Sequence, residues 1–483
     1  MKRARQILTP KGMTNGEHHV SPIKKTFRHM KYRILSLIIF ISLNLFSQEE
    51  KAADTLIIKM TPAISTRVVL YSAKGAQQKY ISYADSDNGV FKLAVSKDNR
   101  KGMYRLIFDP KSMNYIDFIY LNKSFELQFN PSIPDQNPTF VGSPENQSYF
   151  NKGSSIVKIQ QKIDSLQVVY FQETNDLKLK EIEKQYITTY NSLESILKKS
   201  INSTDSSLIN DFVYANTRKQ PKTPIKNPND YLPFIKKHYF DTVDFNNDNL
   251  IHSSILIDKV MDYIFYLTVS KDAKTQNNLY KESLNDVLQR IDNQGVKLGF
   301  IKALIQSFAK DENTDLVDYL FTNYYEKLNS NLQDIDYKNE IQKELATAVG
   351  RVAPEITWKE GDKTRKLSEL KEYKNYIIVF WSSTCSHCLK EIPKLYEFVK
   401  DNKDIKVIAF GMETKESQGK WRSETYCYPE FTHVLGLDKW ENPIPRSYNV
   451  YASPNYFVLD ADKIIIDKPY EVVDIKVFFK GLK

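Results

Sequence analysis

Residues 376–393 read Tyr376-Ile377-Ile378-Val379-Phe380-Trp381-Ser382-Ser383-Thr384-Cys385-Ser386-His387-Cys388-Leu389-Lys390-Glu391-Ile392-Pro393. The first six residues are an unbroken apolar run of strand length, rich in β-branched and aromatic side chains, which predicts a strand buried on both faces. Ser382-Ser383-Thr384 breaks the run, and a helix is predicted over 386–401. The strand thus delivers two cysteines to a helix start, one turn apart, where their sulfurs can come close enough to bond. Unpaired backbone N–H groups and the positive end of the helix dipole favour a thiolate there. Cys385, earlier and more exposed, is expected to be the nucleophile, and Cys388, one turn deeper, to resolve the mixed disulfide.

Around this motif, residues 346–483 alternate between strand and helix. A hairpin is predicted within 354–370, strands at 405–410, 456–459 and 463–466, a helix at 417–426 and a closing helix from about Val473, which is an α/β pattern. Residues 146–345 carry a helical period, as in Ile156, Ile159, Ile163 and Leu166, or Tyr186, Tyr190, Leu193 and Leu197. Pro221, Pro224, Pro228 and Pro233 mark a loop between two helical groups. Aromatic residues such as Tyr239-Phe240, Tyr263 and Tyr324-Tyr325 read as helix packing. Residues 48–145 hold short β-branched segments separated by turn signals, notably Asp87-Asn88-Gly89 and Lys101-Gly102, and predict a small antiparallel β domain of sandwich type. The fold class expected is therefore multidomain: an N-terminal small antiparallel β domain, a central all-α domain and a C-terminal α/β domain. A length of 483 residues agrees with about three units.

The net charge of +9 does not signal a nucleic-acid partner. Residues 1–47 hold nine basic residues (Lys2, Arg3, Arg5, Lys11, Lys24, Lys25, Arg28, Lys31, Arg33) against Glu17 alone, eight of the nine net charges, so the remainder is nearly neutral. Lys31-Tyr32-Arg33 runs into the apolar stretch 34–46, which is short for a span of about 20 residues and fits a signal peptide ending near Ser47-Gln48. Met30 offers a second start that gives a leader of more usual length. The chain is thus expected in the periplasm or cell envelope, with no stable membrane span once the leader is cleaved.

Three cysteines do not make a disulfide scaffold. Cys427 reads as a packed residue on a helix. A structural zinc would need four ligands, and no second Cys-x-x-Cys or His pair of matching spacing follows. His387 between the thiols leaves a copper-handling variant open. A peroxiredoxin would need proline at position 378 in its Pro-x-x-x-Thr-x-x-Cys pattern, where Ile378 stands. His387 and Trp381 are the candidates for tuning the pair: an imidazole near the helix start can support the Cys385 thiolate, or can simply face solvent.

With Phe380-Trp381, Cys385-x-x-Cys388, Pro393 and the later run Tyr448-Asn449-Val450-Tyr451-Ala452-Ser453-Pro454-Asn455-Tyr456-Phe457-Val458-Leu459-Asp460, residues 350–483 resemble the thioredoxin superfamily, specifically the exported TlpA/ResA-like thiol-disulfide interchange proteins. The resemblance implies a thioredoxin fold and a cis proline at Pro454 facing the disulfide, with backbone at Ser453 and Pro454 pairing with the substrate chain. It also places a carboxylate, Glu391, near the cysteines. It further implies protein thiols and disulfides as partners, an electron donor in the membrane or periplasm, and no cofactor or metal beyond the dithiol itself. Two departures stand out. Val379 replaces the buried aspartate of cytosolic thioredoxins, so proton transfer would fall to Glu391, and Asp462-Lys463 replaces the usual glycine turn after Asp460. Upstream, the β and helical domains and the string His238-Tyr239-Phe240-Asp241 resemble multidomain envelope proteins of Gram-negative bacteria. The competing expectation is an envelope partner-binding or assembly protein whose dithiol is secondary.

Overall fold

The computed structural model describes residues 53–201 and 207–481; the leader expected over 1–47 lies outside the described residues. The chain divides into two compact units, Met1–Ala303 and Leu304–Lys483.

In the first unit, β1 (Ala53–Met60), β2 (Thr66–Lys74), β3 (Gln77–Ser86), β4 (Val90–Ser96), β5 (Gly102–Asp109), β6 (Asn114–Tyr120), β7 (Phe125–Phe129) and β8 (Thr139–Val141) form two sheets ordered β4-β1-β7-β8 and β3-β2-β5-β6. Alternate residues of both sheets, among them Leu56, Ile58, Val68, Leu70, Leu93, Leu106 and Phe118, meet in one core, which is a sandwich. The sheets are not wholly antiparallel as expected: β1 and β7 run parallel, with Leu56 beside Phe125. After β2 and β3 in the other sheet the chain returns as β4, antiparallel on one side of β1, and after β5 and β6 it returns as β7, parallel on the other side. Pairing at such separation leaves no mark in local sequence.

Helices α1 (Pro144–Gln172), α2 (Asp176–Ile201), α3 (Ser207–Asn216), α4 (Pro228–Lys237), α5 (Asp248–Ile251), α6 (Ile255–Phe265), α7 (Ala273–Leu288) and α8 (Gln294–Lys310) follow. The buried Asn146 of α1 completes the edge of β6: its amide accepts from Ile119 N and donates to Ile119 O, each at 2.7 Å. The buried stripe of α1 is Ile156, Gln160, Ile163 and Gln167, not the fully apolar face expected, because the glutamines bind the proline-rich loop. Gln160 Nε2 donates to Arg218 O at 2.7 Å, and Gln167 exchanges bonds of 2.8 and 2.9 Å with Ile225.

The second unit adds α9 (Thr314–Asn323) and α10 (Ile335–Glu344), then β9 (Thr357–Glu360), β10 (Lys363–Lys366), β11 (Asn375–Trp381), α11 (Cys388–Val399), β12 (Ile405–Met412), α12 (Gln418–Thr425), β13 (Thr432–Gly436), α13 (Pro443–Ser447), β14 (Asn455–Leu459), β15 (Ile465–Asp467) and α14 (Val472–Gly481). Its five-stranded sheet has the order β13-β12-β11-β14-β15. β11, β12 and β13 are parallel, and β14 is antiparallel to β11 and β15. β11 is central, which explains its continuous apolar run. Ile377, Val379 and Trp381 face Cys388, Ile392 and Leu395 of α11 and Ile475 of α14, whereas Tyr376, Ile378 and Phe380 face Tyr448, Val450 and Phe457. The turn lacking glycine is built by Lys463 at φ 67°. Its buried ammonium donates to Leu370 O and Ala461 O at 2.7 and 2.6 Å, and the Asp460 carboxylate accepts from Asp462 N and Ile464 N. These bonds offset the left-handed backbone of a non-glycine residue.

Candidate active site

The chain leaves the end of β11 through Ser382-Ser383-Thr384, and this loop is held from behind. Glu413, fully buried just past β12, accepts from Ser383 N at 2.5 Å and from Ser417 Oγ at 2.6 Å. Lys439 Nζ donates to Thr384 Oγ1 at 3.3 Å. Glu413 did not stand out in sequence, because a carboxylate just past a strand reads as a solvated turn residue.

Cys385 follows, half-buried, and Cys388 opens α11 with no exposed surface. Both thiols are free, as is Cys427. Cys388 N donates to Cys385 Sγ at 3.1 Å, so a first-turn amide of the helix is spent on the earlier sulfur. Cys385 Sγ also lies 3.5 Å from Ser453 O, to which the thiol donates. Burial pushes the Cys385 thiol up, yet hydrogen bonds from the Cys388 thiol, from the backbone of Cys388 and His387 and from the Ser453 side chain bring it below the ordinary thiol value. Burial, and then donation to Cys385, push Cys388 up to about 12. One sulfur is therefore prepared to be a thiolate and the other to stay protonated.

The structure brings Ser453 and Pro454 to this pair from the loop ahead of β14, and their peptide bond is cis. Trp381 is wholly buried in the core beneath Cys388, its indole N–H without a partner. His387 sits on the turn ahead of α11 with its ring exposed, and its carbonyl accepts from Lys390 N and Glu391 N at 3.0 and 3.1 Å. Glu391 lies one turn past Cys388 and is 3% exposed. Its Oε1 pairs with Lys394 Nζ at 2.6 Å, and its Oε2 accepts from Val472 N, at the start of α14, at 3.1 Å. Burial opposes the charge, but Lys394 and the Val472 N–H hold this carboxyl below the usual carboxylate range. Cys427 is exposed rather than packed: α12 ends at Thr425, and Trp421 and Tyr428 fill the core there. Among the described residues no group of three or more His, Cys, Asp or Glu side chains is placed to hold a metal ion. No helix among them is long and apolar enough to cross a membrane.

The C-terminal part of the chain is similar to known proteins. The AhpC/TSA family matches residues 349–468. The thioredoxin-like protein YneN of Bacillus subtilis (strain 168) is 28% identical over 137 residues, which cover 27% of this chain and 76% of that protein. Among solved structures, a domain of a possible thiol-disulfide isomerase from Cytophaga hutchinsonii is 28% identical, covering 28% of this chain and 92% of that one at a TM-score of 0.24. The thioredoxin domain of a thiol-disulfide oxidoreductase from Bacteroides vulgatus is 26% identical, covering 28% and 97% at a TM-score of 0.24. A dithiol at a helix start, on a sheet of this order and within the matched stretch, makes the C-terminal part of the chain a TlpA-like domain of the thioredoxin superfamily, an oxidoreductase of the thioredoxin-like thiol-disulfide class.

Proposed function

We propose that the protein is exported to the periplasm and exchanges disulfides with protein substrates through Cys385 and Cys388. The observation that carries this reading is the asymmetry of the pair: a half-buried Cys385 with its thiolate favoured, beside the backbone of Ser453 and Pro454, and a wholly enclosed Cys388 held as a thiol. The Cys385 thiolate attacks a client disulfide, a Cys385–client bond forms, and the second client sulfur leaves with the electron pair and takes a proton. Cys388 then displaces the client and closes the intramolecular disulfide. The client gains two electrons and the protein loses them. An envelope electron donor restores the dithiol. The backbone at Ser453 and Pro454 receives the client chain next to the attacked sulfur. The basic leader with its signal-length apolar run supports export.

The test is reduction of insulin by the mature chain with dithiothreitol as reductant. Wild type should accelerate it, and Cys385→Ser should return the rate to that of the reductant alone. Equal rates for the two proteins would overturn the reading.

A further inference from the structure

Tyr456 on β14 stands opposite Val379 of β11, so its ring shares the sheet face that α11 covers. It is 1% exposed and packs in the core that holds Cys388, Trp381 and Ile392. Its hydroxyl is buried and has no hydrogen-bond partner. A buried O–H without an acceptor is costly and calls for a reason. The surroundings supply one. The titratable groups acting on this hydroxyl are Glu391 of α11, Cys388, Cys385 and Glu471 just ahead of α14, while Lys394 of α11 neutralises Glu391. Burial keeps the phenol protonated, and so a donor.

When Cys388 must ionise inside the core, the Ser382 backbone and the Ser453 side chain favour its charge, and its other neighbours are engaged or apolar. Its own N–H serves Cys385. Val379, at the position of the missing aspartate, is apolar, and both oxygens of Glu391 are engaged elsewhere. We propose that the Tyr456 hydroxyl is a further donor, one that turns to the Cys388 sulfur and stabilises it as it becomes a thiolate in the resolving step. This rests on the dithiol reading above. In that step Cys388 gives up its proton and attacks Cys385 Sγ of the mixed disulfide. The Cys385–Cys388 bond forms, the bond to the client sulfur breaks, and the client sulfur leaves with the electron pair and receives the proton. Cys388 is oxidised and the client sulfur reduced. Tyr456 keeps its own proton throughout, and its role is to hold the developing charge.

Tyr456→Phe removes one oxygen and keeps the ring. In the full chain carrying Cys427→Ser, the reduced protein is mixed with dithiobis(nitrobenzoate), whose two thionitrobenzoate releases report attack by Cys385 and closure by Cys388 in turn. Stopped-flow traces between about pH 6 and 10 should show the first release within about twofold of Tyr456. The second should be slowed about tenfold or more near neutrality, with its pH midpoint moved upward. An unchanged second phase overturns the inference and leaves the dithiol chemistry standing, since the two phases of the Tyr456 protein demonstrate that chemistry by themselves. Equal slowing of both phases marks a packing role and also overturns it. A single release from the Tyr456 protein, with no closure at any pH, overturns both this inference and the reading beneath it.

Discussion

Two thiols three residues apart meet opposite fields here because a helix begins between them. Cys385 accepts the Cys388 N–H, while Cys388 lies inside the core. Reduced protein carrying Cys427→Ser should therefore alkylate with iodoacetamide at Cys385 first. Near pH 7 the rate should exceed that of Cys388 by about a hundredfold or more, and its pH midpoint should lie below the ordinary thiol value of about 8.5. Peptide mass mapping across pH reads both sites, and comparable rates would remove the asymmetry on which the proposed chemistry rests. Glu391 shows where residue-level reading of the sequence stops. Its place one turn past Cys388 is legible from spacing, but its partner Val472 N is 81 residues away, and so is invisible to any local pattern; the same holds for Tyr456 opposite Val379. Because the carboxylate is buried and satisfies a donor at the start of α14, Glu391→Gln should cost about 1–2 kcal/mol of stability. Its folded pKa is depressed, so the charge-dependent part is fully present above about pH 5 and is lost as the pH falls through the ordinary glutamate value of about 4.3 and below. Urea unfolding of the two proteins, followed by near-ultraviolet circular dichroism, should show a gap at pH 7 that narrows towards acid. A gap independent of pH would mean that packing, not charge, explains the loss.

Elements with a strong local pattern were the readable ones. β11 and β12 announce themselves as apolar runs, and α11 by its motif and amphipathic period, whereas β13 and α13 left no signal. Each has five residues; β13 is an edge strand carrying Thr432 and His433, and α13 is a single turn started by the Asn442 side chain, which accepts from Ile444 N. Such elements exist because neighbours hold them, not because their own sequence insists. How α12 is held can be tested at Gly411. A Cβ there would lie 2.0 Å from Trp421 Nε1 and 2.6 Å from Cδ1, so the indole of α12 rests directly on the backbone of β12. Gly411→Ala must lift that ring, at a cost of about 1–3 kcal/mol or more. Hydrogen exchange should show protection lost across α12 and β13 and retained in β11. Retained protection in α12 would show that the ring can move aside within its pocket at little cost.

On the scale of the molecule, the change of period near residue 146 marks the passage from strands to helices, but period alone cannot tell which unit a helix joins. α9 and α10 read like the helices before them, yet within the second unit Arg351 pairs with Asp318 at 2.7 Å, Lys468 with Glu312 at 2.7 Å, and Asn449 Nδ2 donates to Lys343 O at 3.1 Å. The dithiol lies wholly in that unit, so client capture can be tested in the full chain by altering one sulfur at a time. Cys388→Ser keeps the exposed nucleophile and removes the only sulfur placed one turn away to release the client; intramolecular closure is fast because the two sulfurs are already held together. Mixed disulfides should then accumulate and appear on non-reducing gels of envelope extract as bands of higher mass that collapse with reductant. Cys385→Ser should show none, because Cys388 is enclosed and its thiol is held protonated. Capture by both variants alike would mean that Cys388 reaches clients directly, against its burial. Capture by neither, with the small-disulfide chemistry intact, would mean that the clients are not proteins, and the place given to Ser453 and Pro454 as a seat for a client chain would fall with them.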